Sequence, residues 1–136
     1  MDRRKLENRF IEIRAGGITL PGTLSLPVDS QSLVVFLHGT GSGRLNPQSQ
    51  FVGKYLEKAG IGVMTFDLLT LTEAQIDAET QALHSDLDFL AGRALDAIRW
   101  LMFQDVAEGL KLGFFGDGPG AAVAVVAAVE RRDLSQ

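Results

Sequence analysis

The amino-acid sequence predicts an α/β protein, in which an antiparallel N-terminal hairpin leads into three parallel strands with helices on both faces of the sheet. Three observations support this prediction. Two runs that alternate apolar and polar residues, at 10–14 and 18–26, are joined by a glycine-containing link, as in a hairpin with one solvated face. A continuous apolar run at 33–37 is expected of a strand covered on both faces, and the largely apolar segments 61–66 and 110–115 predict two further buried strands. Segments with helical periodicity alternate with these runs.

The first part of the chain contains a proline and a helix whose ends are marked. Pro21, inside the second alternating run, predicts a bulge or an edge position, because proline cannot donate a ladder hydrogen bond. Asn46 and Pro47 are an N-cap and a first-turn proline, and Gly60 suits the helix C-terminus. The apolar residues of this helix recur on one face: Phe51, Val52, Tyr55, Leu56 and Ala59.

Two further helices follow before the last strand, and a third ends the chain. The segment Thr72-Glu-Ala-Gln75 has the form of a capping box and predicts the start of a short helix. A longer helix is indicated by apolar residues at steps of three and four, namely Leu83, Leu87, Leu90, Ala91, Ala94, Ile98 and Leu101. The Ala/Val run Ala121–Val129 predicts a terminal helix that is apolar all the way round.

The composition of the chain argues against several classes of function. The chain has 136 residues, which suits one domain, and the single-domain prediction covers residues 1–136. A net charge of −4 gives no support to nucleic-acid binding. There are no cysteines and only two histidines, far apart in sequence, so we predict no metal site and no cofactor. The longest apolar run is too short to cross a bilayer, and a cytoplasmic protein is expected.

The stretch Gly116-Asp-Gly-Pro-Gly120 is the predicted turn with the most specific resemblance to a functional motif. It lies between a buried strand and a helix. Two kinds of site use such a strand–turn–helix: the nucleophile elbow, Gly-x-Ser-x-Gly, and the dinucleotide turn, Gly-x-Gly-x-x-Gly/Ala. The outer glycines fit the elbow, but Gly118 stands where the nucleophile belongs; with Ala121 the stretch also fits the second motif.

The element order, together with His38-Gly39 after the third strand and the glycine turn after the fifth, resembles the first half of an α/β-hydrolase. The segments 34–39, 66–70 and 112–116 are most similar to the dienelactone hydrolase-like group, and the resemblance covers nearly the whole chain. It implies a truncated α/β-hydrolase-like fold that lacks the C-terminal strands. In intact relatives it implies a serine at the elbow, backbone oxyanion donors, and an acid and a histidine from later strands.

The sequence departs from that pattern at the elbow. Gly118 has no side chain that can attack, and Pro119 has no N–H to donate to an oxyanion. The chain also ends at Gln136, before the segments expected to carry the acid and the histidine. We therefore predict no intact catalytic residues, and an elbow remnant consisting of Gly116, Asp117, Gly118, Pro119 and Gly120.

Other polar residues have a structural and a functional interpretation. His38, Gly39 and Thr40 form an oxyanion-loop remnant in which the N–H of Thr40 would donate, although a partly buried imidazole bonded to backbone is the simpler role for His38. Asp67 ends a strand at the edge where α/β ligand sites form, yet a cap or turn role is the simpler one. Asp117 is expected to complement the helix dipole.

Three more polar side chains and one alternative function complete the candidates. His84 is expected to face solvent, and neither Ser42 nor Ser49 has a motif around it. Nucleotide binding in a Rossmann-like manner is disfavoured, because Pro47 delays the helix that the Gly39-x-Gly41-x-Gly43 loop would need to begin.

Two apolar surfaces remain without a partner in this prediction. The strand at Lys111–Phe115 would be an open edge, and the helix at Ala121–Val129 would be apolar on its outer side as well. The simplest partner is a second copy, so we predict a homodimer through the edge strand, the helix or both. Two functions stay open: a binding or interaction module of degenerate catalytic ancestry, and an active esterase or lactonase completed by an oligomer or a second chain.

Overall fold

A computed structural model describes residues 6–38, 47–83, 86–116 and 119–134. Within these ranges the strands and helices are β1 (Leu6–Ala15), β2 (Ile18–Pro27), β3 (Ser32–His38), α1 (Pro47–Lys58), β4 (Gly62–Asp67), α2 (Leu71–Thr80), α3 (Leu87–Met102), β5 (Lys111–Gly116) and α4 (Pro119–Leu134). A short 3₁₀ turn, Asp105–Ala107, precedes β5. The order of elements is the predicted one.

The strands form one mixed sheet in the order β1-β2-β4-β3-β5. β1 and β2 pair as an antiparallel hairpin, and β2 pairs antiparallel with β4. β3 lies parallel between β4 and β5. The predicted fold class, a hairpin leading into three parallel strands with helices on both faces, is therefore confirmed.

The bulge expected as one possibility at Pro21 is absent, whereas the other possibility, an edge position, holds locally. The register between β1 and β2 runs without a bulge from Leu6↔Pro27 to Ala15↔Ile18, and β1, not β2, is the edge strand. Proline is tolerated because pairing of β2 with β4 begins only at Gly22, which faces Phe66. Pro21 thus lies just beyond the two-sided part of its strand, where the missing N–H interrupts no ladder bond to β4.

Each face of the sheet is covered by a different set of helices. α3 and α4 pack on one face, and α1 packs on the other against β2 and β4. The main core lies on the α3–α4 face, where Leu33, Val35, Leu37, Met64, Phe66, Leu90, Ala94, Ile98 and Leu101 are buried. Continuous apolar strands are needed because β3 is covered on both faces, and on the α1 face Phe36 is fully buried against the ring of Phe115, with centroids 4.9 Å apart.

The apolar face predicted for α1 differs from the one that packs on the sheet. The residues of α1 that are buried are Ser49 and Gly53, and a Cβ at Gly53 would lie 3.6 Å from Val63. Phe51 and Tyr55 are each 71% exposed. The small residues let the backbone of α1 lie close to the sheet. The face of α1 that packs on the sheet is therefore the one with small residues and not the one with the large apolar side chains.

Two helix starts are shifted from their predicted positions. The N-cap of α2 is Thr70, and its capping box closes with Glu73, two residues before the predicted box at Thr72. α3 begins at Leu87 with Asp86 as its N-cap, so Leu83 precedes the helix. No helix among the described residues is long and apolar enough to span a membrane.

Candidate functional site

The carboxyl edge of the parallel strands brings the predicted site segments together. His38 ends β3 and pairs in register with Asp67, which ends β4. On the other side of β3, Leu37 pairs with Gly116, which ends β5. The parallel arrangement therefore places the ends of three strands side by side, as sequence reasoning required. The side chain of His38, and Gly39 and Thr40, lie outside the described residues.

The turn after β5 is short. β5 ends at Gly116 and α4 begins at Pro119, so the chain passes from strand to helix across Asp117 and Gly118, which lie outside the described residues. The predicted strand thus precedes the turn and the predicted helix follows it. Pro119 occupies the first helical position, which suits a residue without an N–H because the first N–H groups of a helix have no partner within it.

Gly116 and Gly120 allow close contact between the end of the strand and the start of the helix. A Cβ on Gly116 would collide with the backbone carbonyl group of Gly120 and would lie 3.0 Å from the backbone nitrogen of Ala121. Gly120 is itself buried. Glycine is therefore needed at 116 for backbone packing between the strand and the helix. This requirement does not depend on which residue stands at 118.

A charged clamp holds the chain where it leaves β4. One nitrogen of the Arg93 guanidinium donates to the carbonyl of Leu68 at 2.8 Å and to a carboxylate oxygen of Glu73 at 2.6 Å. The second terminal nitrogen of the guanidinium donates to the second carboxylate oxygen of Glu73 at 2.9 Å. The guanidinium carbon lies 4.7 Å from the ring centroid of Phe89. The clamp ties α3 to the start of α2 and to the segment that follows Asp67.

This geometry favours the charged form of Glu73. The hydrogen bond from Arg93 lowers the pKa of Glu73 from 4.5 to about 2, against an opposing effect of desolvation and with help from the Thr70 N–H. That N–H donates to the Glu73 carboxylate at 2.8 Å, and the Glu73 N–H donates to the Thr70 hydroxyl at 3.1 Å. Sequence reasoning missed the clamp. The available signal was the capping-box pattern at 70–73, but nothing in the sequence marked Arg93 as its partner.

The other candidate site residues from the sequence contribute less to the carboxyl edge of the parallel strands. Asp67 is partly buried at the sheet edge. Ser49 is 3% exposed and lines a cavity of about 260 Å³ between α1 and the sheet, together with Thr23 and Thr65. The hydroxyls of these two threonines lie 2.8 Å apart. His84, Ser42 and Asp117 lie outside the described residues. In the part of the chain that the structure describes, no three His, Cys, Asp or Glu residues form a group that could hold a metal ion.

Comparisons with solved structures find hydrolases. The fold is similar to a dienelactone hydrolase from Anabaena variabilis, with a TM-score of 0.89 and 35% identity over 94% of this chain and 59% of that one. It is also similar to a dienelactone hydrolase-like promiscuous phosphotriesterase from metagenomic libraries, with a TM-score of 0.67 and 21% identity, covering 90% of this chain and 54% of that one. At that identity the second likeness concerns the fold alone.

Comparisons with sequences give a different name. Two Mycobacterium tuberculosis proteins, each named "Putative phosphoribosyl transferase", are 35% identical over 127 residues, which is 93% of this chain and 28% of theirs. The chain thus spans under a third of these relatives and somewhat more than half of the Anabaena enzyme. No family model matches the chain.

Proposed function

Because the chain is an α/β-hydrolase-like protein of the dienelactone hydrolase-like group and spans part of that fold, we propose that it is a binding module whose nucleophile elbow performs no ester hydrolysis. The observation that carries the proposal is the sequence of the turn, Gly116-Asp-Gly-Pro-Gly120. Its first glycine, Gly116, serves the backbone packing of an elbow, whereas its inner residues supply none of the groups that the chemistry needs.

The missing groups affect both parts of the acyl-transfer mechanism. At the nucleophile position, Gly118 offers no oxygen or sulfur that could form an acyl intermediate. At the next position, Pro119 has no N–H with which to stabilise an oxyanion. Loss of one oxyanion donor lowers kcat by about 10²–10³, and loss of a triad nucleophile lowers it by on the order of 10⁶. The two losses together leave no rate that a serine-type mechanism could explain.

Retention of the turn without its chemistry supports a structural use of this edge. Gly116 still accommodates the backbone of Gly120, and a glycine at the nucleophile position removes the strain of about 1–3 kcal/mol that a non-glycine residue bears in a positive-φ elbow. A fold that keeps a tight strand-to-helix turn and drops its reactive side chain is suited to present surfaces rather than to turn over substrate.

The test is an active-site titration of the purified protein. We expect no label from a fluorophosphonate probe and no hydrolysis of p-nitrophenyl acetate above buffer, while an intact serine esterase in the same assay is labelled. The Gly118→Ser/Pro119→Ala variant is a matched control for the turn, since it restores a hydroxyl and an N–H. Stoichiometric labelling of the unmodified chain would overturn the proposal.

A second function is supported by the length of the relatives. The chain covers 59% of the Anabaena dienelactone hydrolase, so a second chain or another copy could contribute catalytic groups. An active esterase or lactonase of this kind would hydrolyse p-nitrophenyl esters only in the complex. Activity that appears on adding a polypeptide carrying the remaining part of such a fold, and is lost on separating the two, would favour this alternative.

The transferase name of the Mycobacterium proteins is not carried over to this chain. The shared segment makes up 28% of those proteins, and here that segment forms a hydrolase-like sheet. We infer that the segment they share with this chain is a hydrolase-like part of a longer protein.

A further inference from the structure

β5 presents backbone hydrogen-bonding groups on an open side. In the described part of the chain it pairs with β3 alone. The N–H of Lys111 donates to the carbonyl of Gln31 at 3.0 Å, which is the β3 side. Successive residues of a strand direct their backbone groups to alternate sides. Leu112, Phe114 and Gly116 therefore direct their N–H and C=O groups to the open side.

We propose that this open side binds β5 of a second copy of the chain, antiparallel and about a two-fold axis that passes through Phe114 normal to the sheet. In this register Phe114 lies opposite the partner's Phe114, and Leu112 lies opposite the partner's Gly116. The residues that direct their backbone groups outward thus face one another and exchange hydrogen bonds. The proposal rests on the binding role proposed above but requires nothing of the elbow chemistry.

The residues of β5 suit pairing with themselves. Its one charged residue is Lys111, at the first position. With the axis through Phe114, the two copies of Lys111 lie at opposite ends of the strand pair, so no like charges face each other. Edge strands that avoid pairing are very short or carry lysine, other charges, proline or a bulge. β5 has six residues with a lysine at the first position, whereas residues 112–116, Leu-Gly-Phe-Phe-Gly, contain neither a charge nor a proline.

The helix above β5 must tolerate a close neighbour in this arrangement. α4 packs over both β5 and β3. Paired strands lie about 4.8 Å apart, so the two copies of α4 would lie roughly 5–10 Å apart. Helices ordinarily pack at about 8–10 Å, and such an approach therefore requires small side chains on the flank of α4 that faces the edge.

Between residues 121 and 128, the side chains on that flank of α4 are alanines. Val123 and Ala127 are the buried residues that face the sheet. A rotation of about 100° per residue, with a right-handed crossover from β4 to β5, places Ala121 and Ala128 on the side of the open edge. Both are exposed. A single two-fold axis thus pairs the strand edges and brings the two alanine flanks into contact. The helix contact is needed because a pair of six-residue strands buries little surface, whereas a stable interface buries roughly 800 Å² per partner.

The first test is the mass of the intact chain by light scattering at micromolar concentration. We expect twice the 14.7 kDa of one chain. Leu112→Pro removes an N–H on the open side without touching the bonds to β3 and should give a folded monomer by circular dichroism. Leu112→Ala keeps that N–H and should stay dimeric. A monomeric unmodified chain would overturn the dimer and leave the proposed inactivity of the elbow untouched.

A second pair of variants keeps the proposal testable if proline unfolds the strand. Ala128→Arg puts a long charged side chain on the alanine flank and should give a monomer. Val125→Arg puts the same side chain on the outward face of α4, where Val125 is 65% exposed, and should leave the dimer intact. The reverse result, with only Val125→Arg monomeric, would overturn edge pairing in favour of the outer helix face.

The register is tested by cross-linking, since the chain has no cysteine of its own. Phe114→Cys places two cysteines across the axis with Cα atoms about 5.5 Å apart, within disulfide reach. Gly113→Cys fits its site, where the nearest atom to a Cβ is 3.8 Å away, but the two copies would lie diagonally, at about 7–8 Å. We expect a covalent dimer on oxidation of the first variant alone. Cross-linking of Gly113→Cys alone would overturn the register.

Discussion

Gly116 occupies its position because no side chain fits there. A Cβ would collide with the carbonyl of Gly120, which belongs to the backbone of the first turn of α4 and cannot rotate away. A steric conflict with backbone is harder to relieve than one with the end of a flexible side chain. Glycine at 116 thus has a purely local cause, which is why a local sequence pattern can predict the strand-to-helix turn.

The prediction is that Gly116→Ala destabilises the chain while Gly113→Ala, three residues earlier on the same strand, does not. Forcing a methyl group into a packed backbone contact costs about 1–3 kcal/mol. At Gly113 the nearest atom to a Cβ is the Val34 Cγ2 at 3.8 Å, an ordinary contact, so that change should stay within about 1 kcal/mol. Urea denaturation followed by circular dichroism measures both. Equal midpoints would contradict the steric account of the turn.

The Arg93–Glu73 pair gives a prediction on pH. Arg93 is 10% and Glu73 25% exposed, and hydrogen bonds to charged groups contribute about 1.5–3 kcal/mol. Glu73→Gln should therefore lower the free energy of unfolding at pH 7 by about 2 kcal/mol. Because the pKa of Glu73 is lowered from 4.5 to about 2, the stabilisation is present above pH 4.5 and is lost as pH falls toward 2.

The measurement is the free energy of unfolding of both proteins between pH 7 and pH 2. The gap between the unmodified chain and Glu73→Gln should close as the pH falls, since the carboxyl group becomes protonated in both states of the unmodified chain. A gap that stays constant over this range would show that the ion pair contributes nothing that depends on charge. Asp96→Asn is a suitable control, because Asp96 meets Arg99 at 3.4 Å on the exposed surface, where pairs contribute little.

At the scale of elements, the sequence predicted the existence of each helix better than its ends. The sequence predicts a capping box for α2 at Thr72, whereas Thr70 and Glu73 form it. Both positions offer a Thr followed three residues later by Glu or Gln, and the choice between them is made by Arg93, which lies far along the chain and binds Glu73. A local pattern cannot contain that information.

Thr70→Ala should therefore destabilise the chain by about 1 kcal/mol, the usual loss on removing an N-cap. Thr72→Ala is the matched control: Thr72 is exposed within α2 and alanine is the better helix former, so the change should be neutral or slightly stabilising. Thermal unfolding of the two variants distinguishes the positions. A larger loss for Thr72→Ala would contradict the cap assigned by the structure.

α1 shows a second limit of local patterns. Its large apolar residues recur at helical spacing, yet Phe51 and Tyr55 are mostly exposed, and Ser49 and Gly53 are the residues buried against the sheet. Periodicity ranks residues by hydrophobicity, whereas packing here depends on how closely the helix backbone approaches Val63 and its neighbours. Small residues at i and i+4 were the signal that could have corrected the predicted face.

At the scale of the whole molecule, the sequence predicts which strands form the hairpin and which are buried and parallel, but not the order of the strands in the sheet. Alternating runs indicate the hairpin, and apolar runs indicate the buried parallel strands. The order β1-β2-β4-β3-β5 separates β2 from its sequence neighbour β3, because Gly22–Ser25 pairs with β4 instead. Because β3, β4 and β5 are all largely apolar, their hydrophobicity does not indicate which of them lies between the other two. Only contacts between residues far apart in sequence decide the order.

The open side of β5 leads to a last prediction, on amide hydrogen exchange. In a monomer the N–H groups of Gly113 and Phe115 bond within the sheet on the β3 side, as the bond of Lys111 to Gln31 indicates, whereas those of Leu112 and Phe114 meet solvent. Exchange in the Ala128→Arg variant should therefore alternate along the strand, fast at 112 and 114 and slow at 113 and 115. If the unmodified chain forms the proposed dimer, all four should be slow, because edge pairing protects the outward amides. Alternation that persists in a protein of dimeric mass would show that the two copies meet elsewhere, and would leave the geometry of β5 itself intact.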